Sequence, residues 1–188
     1  MRDDGPSRIC LLRRKILELL STKGPDAIIE AFPPSGYRGL MSPLISLFYE
    51  GDVRIRDGAI AAFGVLLARI ADEDMEAARV FMRRLMWSLN DESGGIGWGA
   101  PVAMGEAMAR HRGLAEEYAP ILLSYIREDG NYLELPALRL DALKGIARLA
   151  EARPHILRSL DAKKHIEPCL ASENPEERRL AESALSLL

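Results

Sequence analysis

An all-α fold, and within it an α-solenoid of stacked helix pairs, is predicted by three observations. Apolar residues recur at three- and four-residue spacing almost throughout, as in Ile9, Leu12, Ile16, Leu19 and Leu20, and no stretch sustains the alternation of a half-buried strand. Two distant stretches share one pattern: Leu44, Leu47 and Phe48 followed by Asp52 and Arg56 correspond to Ile166, Cys169 and Leu170 followed by Asn174 and Arg178. Small residues within the second helices, Gly64, Gly105, Gly145 and Ser186, are separated by 41, 40 and 41 positions. A period of about 40 to 47 residues built from helix pairs is the signature of such an array, because each pair exposes an apolar stripe that only the next pair covers.

Taken in order, the 188 residues read as a single domain with an N-terminal helical cap at 1–39 and about four repeats at 40–188. Gly24-Pro25 and the Phe32 to Gly36 run break the chain early and leave one helix at 7–21 and a short one at 26–32. Arg13, Arg14 and Lys15 give the first of these a polar face suited to a cap. Ser42-Pro43 reads as a cap and first-turn proline that start a helix ending near Gly51, followed by a second helix over 53–71. Asn174-Pro175 repeats that start for a helix through Leu187, whose apolar end is expected to pack back on its own pair, with a self-association surface as the alternative.

The net charge of −3 and pI near 5.7 lack the electrostatic footprint of a non-specific nucleic-acid binder. Cys10 and Cys169 form no CxxC or Cys/His cluster and are expected as small core residues. No segment approaches the roughly 18 continuous apolar residues of a membrane span, and Met1 to Pro6 carries early acids rather than an apolar leader, so the expected location is cytoplasmic. His111, His155 and His165 are dispersed, no phosphate loop or nucleophile motif occurs, and no metal or cofactor is expected. Arg83-Arg84 and Arg178-Arg179 read as solvated helix faces.

One stretch breaks the repeat. Between Trp87 and Pro101 the chain carries both tryptophans and Gly94, Gly95, Gly97 and Gly99. In the repeat register Gly97 falls where the first pair has Arg56, and Pro101 falls four residues before its anchor glycine, inside what should be the second helix. Proline is tolerated at a helix start and not in its interior, so this second helix is expected to begin near Pro101, its first two turns replaced by a loop. Glycines allow a ligand close to the backbone. Trp87 and Asp91, four apart, are expected on one face of the preceding helix. Glu92 and Ser93 add polar groups, and the loosened 129–135 segment of the next pair brings Tyr132 and Glu134 to the same edge. The candidate partner-binding set is therefore Trp87, Asp91, Glu92, Ser93, Gly94, Gly95, Gly97, Trp98, Tyr132 and Glu134. A second reading stands beside it: Trp87 as a core residue, Trp98 filling the space of the missing turns, and Asp91 or Ser93 capping a helix end.

The run Ile55 to Gly64, apolar-Arg, small residues, then apolar-Gly, resembles the second helix of HEAT repeats, and the resemblance covers roughly residues 40–188. The stretch W-x-L-N-D-E-S-G-G-I-G-W-G-x-P looks like the signature of an uncharacterised group of bacterial HEAT-repeat proteins, which implies the fold and no activity. Trp87-x-Leu89-x-Asp91-x-Ser93 is also similar, over seven residues, to a stretch of the HEAT-like alkylpurine DNA glycosylases. That resemblance would cast Trp87 as a wall for a nucleobase and Asp91 as the carboxylate facing developing positive charge. The leading expectation is a non-enzymatic module that engages a protein or peptide through the loops at about 90–100 and 129–135. The alternative is a nucleobase-processing or DNA-binding enzyme using Trp87 and Asp91, which the acidic balance disfavours.

Overall fold

The computed structural model describes residues 7–90 and 96–188, and all the regular structure among them is helical. Helices α1 (Arg8–Thr22) and α2 (Asp26–Ala31) precede a 3-10 turn, and four pairs follow: α3 (Tyr37–Ser46) with α4 (Val53–Glu73), α5 (Met75–Ser88) with α6 (Ala100–Arg110), α7 (Arg112–Ser124) with α8 (Pro136–Ala152), and the short α9 (Pro154–Ser159) and α10 (Ala162–Ile166) with α11 (Pro175–Leu187). One apolar cluster runs through them from Ile16 to Ala184. The chain is an all-α solenoid. Among the described residues, no helix is long and apolar enough to cross a membrane.

The anchor glycines explain how the second helices stack. A Cβ on Gly105 would lie 2.4 Å from the Gly145 Cα, one on Gly145 would lie 2.5 Å from the Pro101 carbonyl oxygen, and one on Gly64 would lie 2.8 Å from the Glu106 Cβ. Only glycine lets α4, α6 and α8 approach so closely. Ser186, the fourth position of that series, is exposed on α11, where no further helix of the described chain stacks. The first helices are joined instead by polar bridges, Arg84 of α5 donating to the Ser42 hydroxyl at 2.6 Å and pairing Arg79 of α5 with Glu117 of α7 at 2.9 Å. Asp52 and Asn174, equivalent in the repeat, cap α4 and α11 by accepting from the backbone N–H two residues on.

Two expectations are corrected. Pro43 does not start a helix: α3 begins at Tyr37, ends at Ser46 rather than near Gly51, and carries Pro43 in its interior. The buried stripe Tyr37, Leu40, Met41 and Leu44 explains why. Proline inside a helix costs about 3 kcal/mol, whereas burying each large apolar side chain stabilises by about 1.5–3 kcal/mol. The carbonyl left without its donor belongs to exposed Gly39. Cys10 is exposed rather than a core residue, while Cys169 is half-buried and burial pushes its thiol above the usual range. Near the C-terminal end Leu185 and Leu188 pack against the core, but Leu187 is exposed and Arg158 donates to the carbonyl oxygens of both Leu187 and Leu188.

Candidate binding edge

The shortened second helix is present. Measured to its anchor glycine or serine, α4 starts eleven residues earlier, as does α11, and α8 starts nine earlier, whereas α6 starts at Ala100, five before Gly105. At 1.5 Å of rise per residue, α6 lacks about 9 Å of helix relative to α4. Gly99 caps it with φ of 72°, a left-handed conformation that favours glycine, and a Cβ there would lie 3.0 Å from Ile60 Cδ1. Gly97 crosses the end of α5 so tightly that a Cβ would meet the Ser88 Oγ at 2.4 Å. Gly97 is buried. The missing Cβ atoms at both glycines are thus used by the chain's own packing, which corrects the expectation that Gly97 opens the backbone to a ligand.

The two tryptophans line different clefts. Helix α5 buries Ala78, Met82 and Leu85, and Trp87 falls about 200° around the helix from Leu85 at 100° per residue, pointing away from the core. It is 71% exposed, so it is not a core residue. Trp87 lines a cleft of about 650 Å³ together with Ile96, Tyr132 and Glu134, so the two irregular loops share one surface. Trp98 is half-buried and lines a separate cleft of about 590 Å³ between α4 and α8, in the gap where the first turns of α6 would have stood. The predicted set is therefore split: Trp87, Tyr132 and Glu134 come together, Trp98 stands apart, and Asp91, Glu92, Ser93, Gly94 and Gly95 lie outside the described residues. Helix α5 ends at Ser88, followed by a turn at Leu89–Asn90, so the one-face argument for Trp87 and Asp91 has no continuous helix beneath it as far as the described residues extend.

The 129–135 loop is held by a residue that sequence reasoning passed over. Arg139 of α8 donates to the carbonyl oxygens of Leu133 at 2.8 Å and Glu134 at 2.7 Å, and its guanidinium lies 4.9 Å from the centre of the Tyr132 ring. Leu133 N–H donates to the Tyr125 carbonyl at 3.0 Å, and Asn131 donates to the Ser124 hydroxyl at 3.0 Å. A Cβ on Gly130 would lie 2.9 Å from the Ser124 carbonyl oxygen, so this turn also needs glycine. Tyr125 is buried at the base of the Trp87 cleft, and burial pushes its phenol up to about 12, keeping it protonated.

Asp141 also escaped sequence reasoning. Its Oδ2 accepts from the Gly99 N–H at 3.1 Å, so the cap residue of the shortened helix is tied to the next repeat. Burial holds its carboxyl above the ordinary carboxylate range, against the opposing effects of the Gly99 N–H and of Lys144 and Arg56. The signal was available: Asp141 stands four residues before Gly145, where the first pair has Ile60 and the second Pro101. The fourth pair has Glu182 there, exposed on α11, so among the stacked second helices α4, α6 and α8 Asp141 is the acid at an otherwise apolar position and marks a gap in the packing.

The face formed by the second helices carries charge of both signs. Glu106 pairs with Arg110 and, at 3.1 Å, with Arg148, which also meets Glu151 at 3.3 Å. Lys144 lies between Asp141 and Glu176 at 3.8 and 3.6 Å, and Arg56 pairs with Asp57 at 3.3 Å. These bases are matched by acids, which is the opposite of a groove built to neutralise phosphates. His111 caps α7 through Nδ1, which accepts from Leu114 N–H at 3.1 Å. Among the described residues no group of three His, Cys, Asp or Glu side chains is placed to hold a metal ion.

No family model matches the chain, and no curated protein matches it. Solved structures do. An engineered protein from the Northeast Structural Genomics Consortium is similar at a TM-score of 0.52 and 16% identity, covering 93% of this chain and 78% of that one. A second engineered protein from the same source is similar at 0.50 and 15% over 93% of this chain and 47% of that one, so the chain spans about half its length. A designed armadillo repeat protein aligns at 0.44 and 18% over 98% of this chain and 96% of that one. At such identities the likeness concerns the fold alone.

Proposed function

We propose that this chain is a HEAT-like repeat module without catalytic activity, one continuous domain that engages a protein or peptide through its loop edge. The observation that carries the reading is Trp87, a large aromatic held 71% exposed beside a cleft whose far wall is Tyr132 and Glu134. Binding energy concentrates in aromatic anchors of this kind set beside a cleft. The 129–135 loop beside it is anchored by Gly130 and Arg139, so that wall of the cleft needs little ordering on binding.

The charge-matched second-helix face supports this over the nucleic-acid alternative, which needs an excess of Lys and Arg along one surface. Selection of peptides from a random display library on the intact chain tests the reading. Selected peptides are expected to bind Trp87→Ala and Tyr132→Ala at least about 30-fold more weakly, the loss of about 2 kcal/mol that marks an aromatic anchor. Peptides that bind both variants as well as wild type, or tight binding of duplex DNA at low salt that Trp87→Ala abolishes, would overturn it.

A further inference from the structure

The second cleft is not explained by that reading. It exists because α6 is short: α4 supplies Arg56, Asp57 and Ile60 on one side, α8 supplies Leu140, Asp141 and Lys144 on the other, Trp98 and Gly99 form the floor, and Glu176 of α11 reaches the rim. Its volume of about 590 Å³ holds one or two amino-acid side chains.

The charges in the cleft are unevenly matched. Glu50 is tied to Arg13 of α1, and Arg56 to Asp57. Lys144 is the remaining base, and it serves two acids, Asp141 and Glu176, at 3.8 and 3.6 Å. Both distances exceed a hydrogen bond. Among the described residues Asp141 holds one short contact, from Gly99 N–H to Oδ2, while its Oδ1 lies 3.8 Å from the Lys144 ammonium and Arg56 adds a weaker attraction. Its side chain is 20% exposed, so water screens the charge poorly. A cation entering the cleft would find an under-compensated carboxylate, a second acid at the rim and the apolar Trp98 beside it. An entering anion would meet Glu50, Asp57, Asp141 and Glu176 against two lining bases, Arg56 and Lys144, each already paired with acids of the cleft.

We propose that this cleft receives the cationic side chain, lysine or arginine, of a basic peptide partner, with Asp141 accepting its charge-assisted hydrogen bond and Trp98 packing along its stem. The proposal rests on the peptide-binding reading for its choice of partner, but it uses different residues. Arginine fits the site better than lysine, because its planar fork can reach Asp141 and Glu176 together and stack on an aromatic plane.

The test is an NMR titration of the intact chain with N-acetyl-arginine amide, and with N-acetyl-norleucine amide and N-acetyl-glutamate amide in parallel. The reporters are the Gly99 amide, which donates to Asp141, and the Trp98 indole. Arginine amide is expected to shift both along a saturable curve, with little response to the other two probes. Asp141→Asn keeps an acceptor for Gly99 and removes the charge, and should weaken the arginine response by roughly tenfold or more. Trp87→Ala should leave it unchanged. If arginine amide shifts neither reporter, or the glutamate probe shifts them equally, or Asp141→Asn binds arginine amide like wild type, the proposal is overturned and the Trp87 reading stands untouched. Conversely, an arginine response that survives while selected peptides ignore Trp87 would sink the first reading alone.

Discussion

The closest contact in the array gives the most demanding test of the repeat register. In Gly105→Ala the new Cβ would lie 2.4 Å from the Gly145 Cα and 2.5 Å from its carbonyl oxygen, where ordinary contacts begin near 3.5 Å. The obstruction is backbone on both sides, so no rotamer change relieves it, and α6 and α8 must part by about 1 Å. A gap of that size forfeits a quarter to a half of each dispersion contact across it, and overpacking of this kind costs about 1–3 kcal/mol. Alanine returns about 1 kcal/mol in helix propensity. The net expectation is a loss of about 1 kcal/mol, which for a chain of this length lowers Tm by about 2–4 °C. Gly39→Ala in α3 is the control, since a Cβ there meets nothing within 4 Å and the change should raise stability by up to about 1 kcal/mol. Thermal unfolding followed by far-UV circular dichroism reads both. A Gly105→Ala chain as stable as wild type, or shifted in the same direction as Gly39→Ala, would refute the close stacking of the second helices.

Burial raises the Asp141 carboxyl, so between the unfolded and folded values the native chain keeps a proton that the unfolded chain has released, and stability falls as pH rises through that window. Asp141→Asn should therefore match wild type in Tm near pH 3 and exceed it near pH 7; a difference independent of pH would contradict the assignment. Arg139→Ala removes two hydrogen bonds to the 129–135 loop and the contact on Tyr132, and should cost about 1–3 kcal/mol with faster amide exchange at Leu133; unchanged exchange would show that the loop is held otherwise. Trp87→Phe should leave the unfolding free energy within about 0.5 kcal/mol of wild type and remove most of the iodide-quenchable tryptophan emission, leaving the half-buried Trp98; emission that stays equally quenchable would mean Trp98 is the exposed ring.

The spacing of Gly64, Gly105 and Gly145 was legible because it records a physical requirement, backbone against backbone, that no other residue meets. The late start of α6 was legible for the same reason: Pro101 at an interior register position forces a choice. The start of α3 was misread because a local proline signal lost to a buried stripe that runs through it. Cys10 and Trp87 depended on which face of a helix meets a neighbour, and for Trp87 the angular offset from Leu85 already pointed outward. Asp141 was invisible to local pattern because its partner, Gly99, lies one repeat away, and only comparison of equivalent positions could expose it.

The central claim is that the edge built by Trp87, Tyr132 and Glu134 is where a partner sits. Placing a photo-crosslinking amino acid at position 87, at position 132 and at exposed Glu182 of α11, and irradiating each with a peptide selected on wild type, tests this directly. Crosslinks from 87 and 132 with none from 182 are expected. Crosslinking from 182 alone, or equal crosslinking from all three, would contradict it.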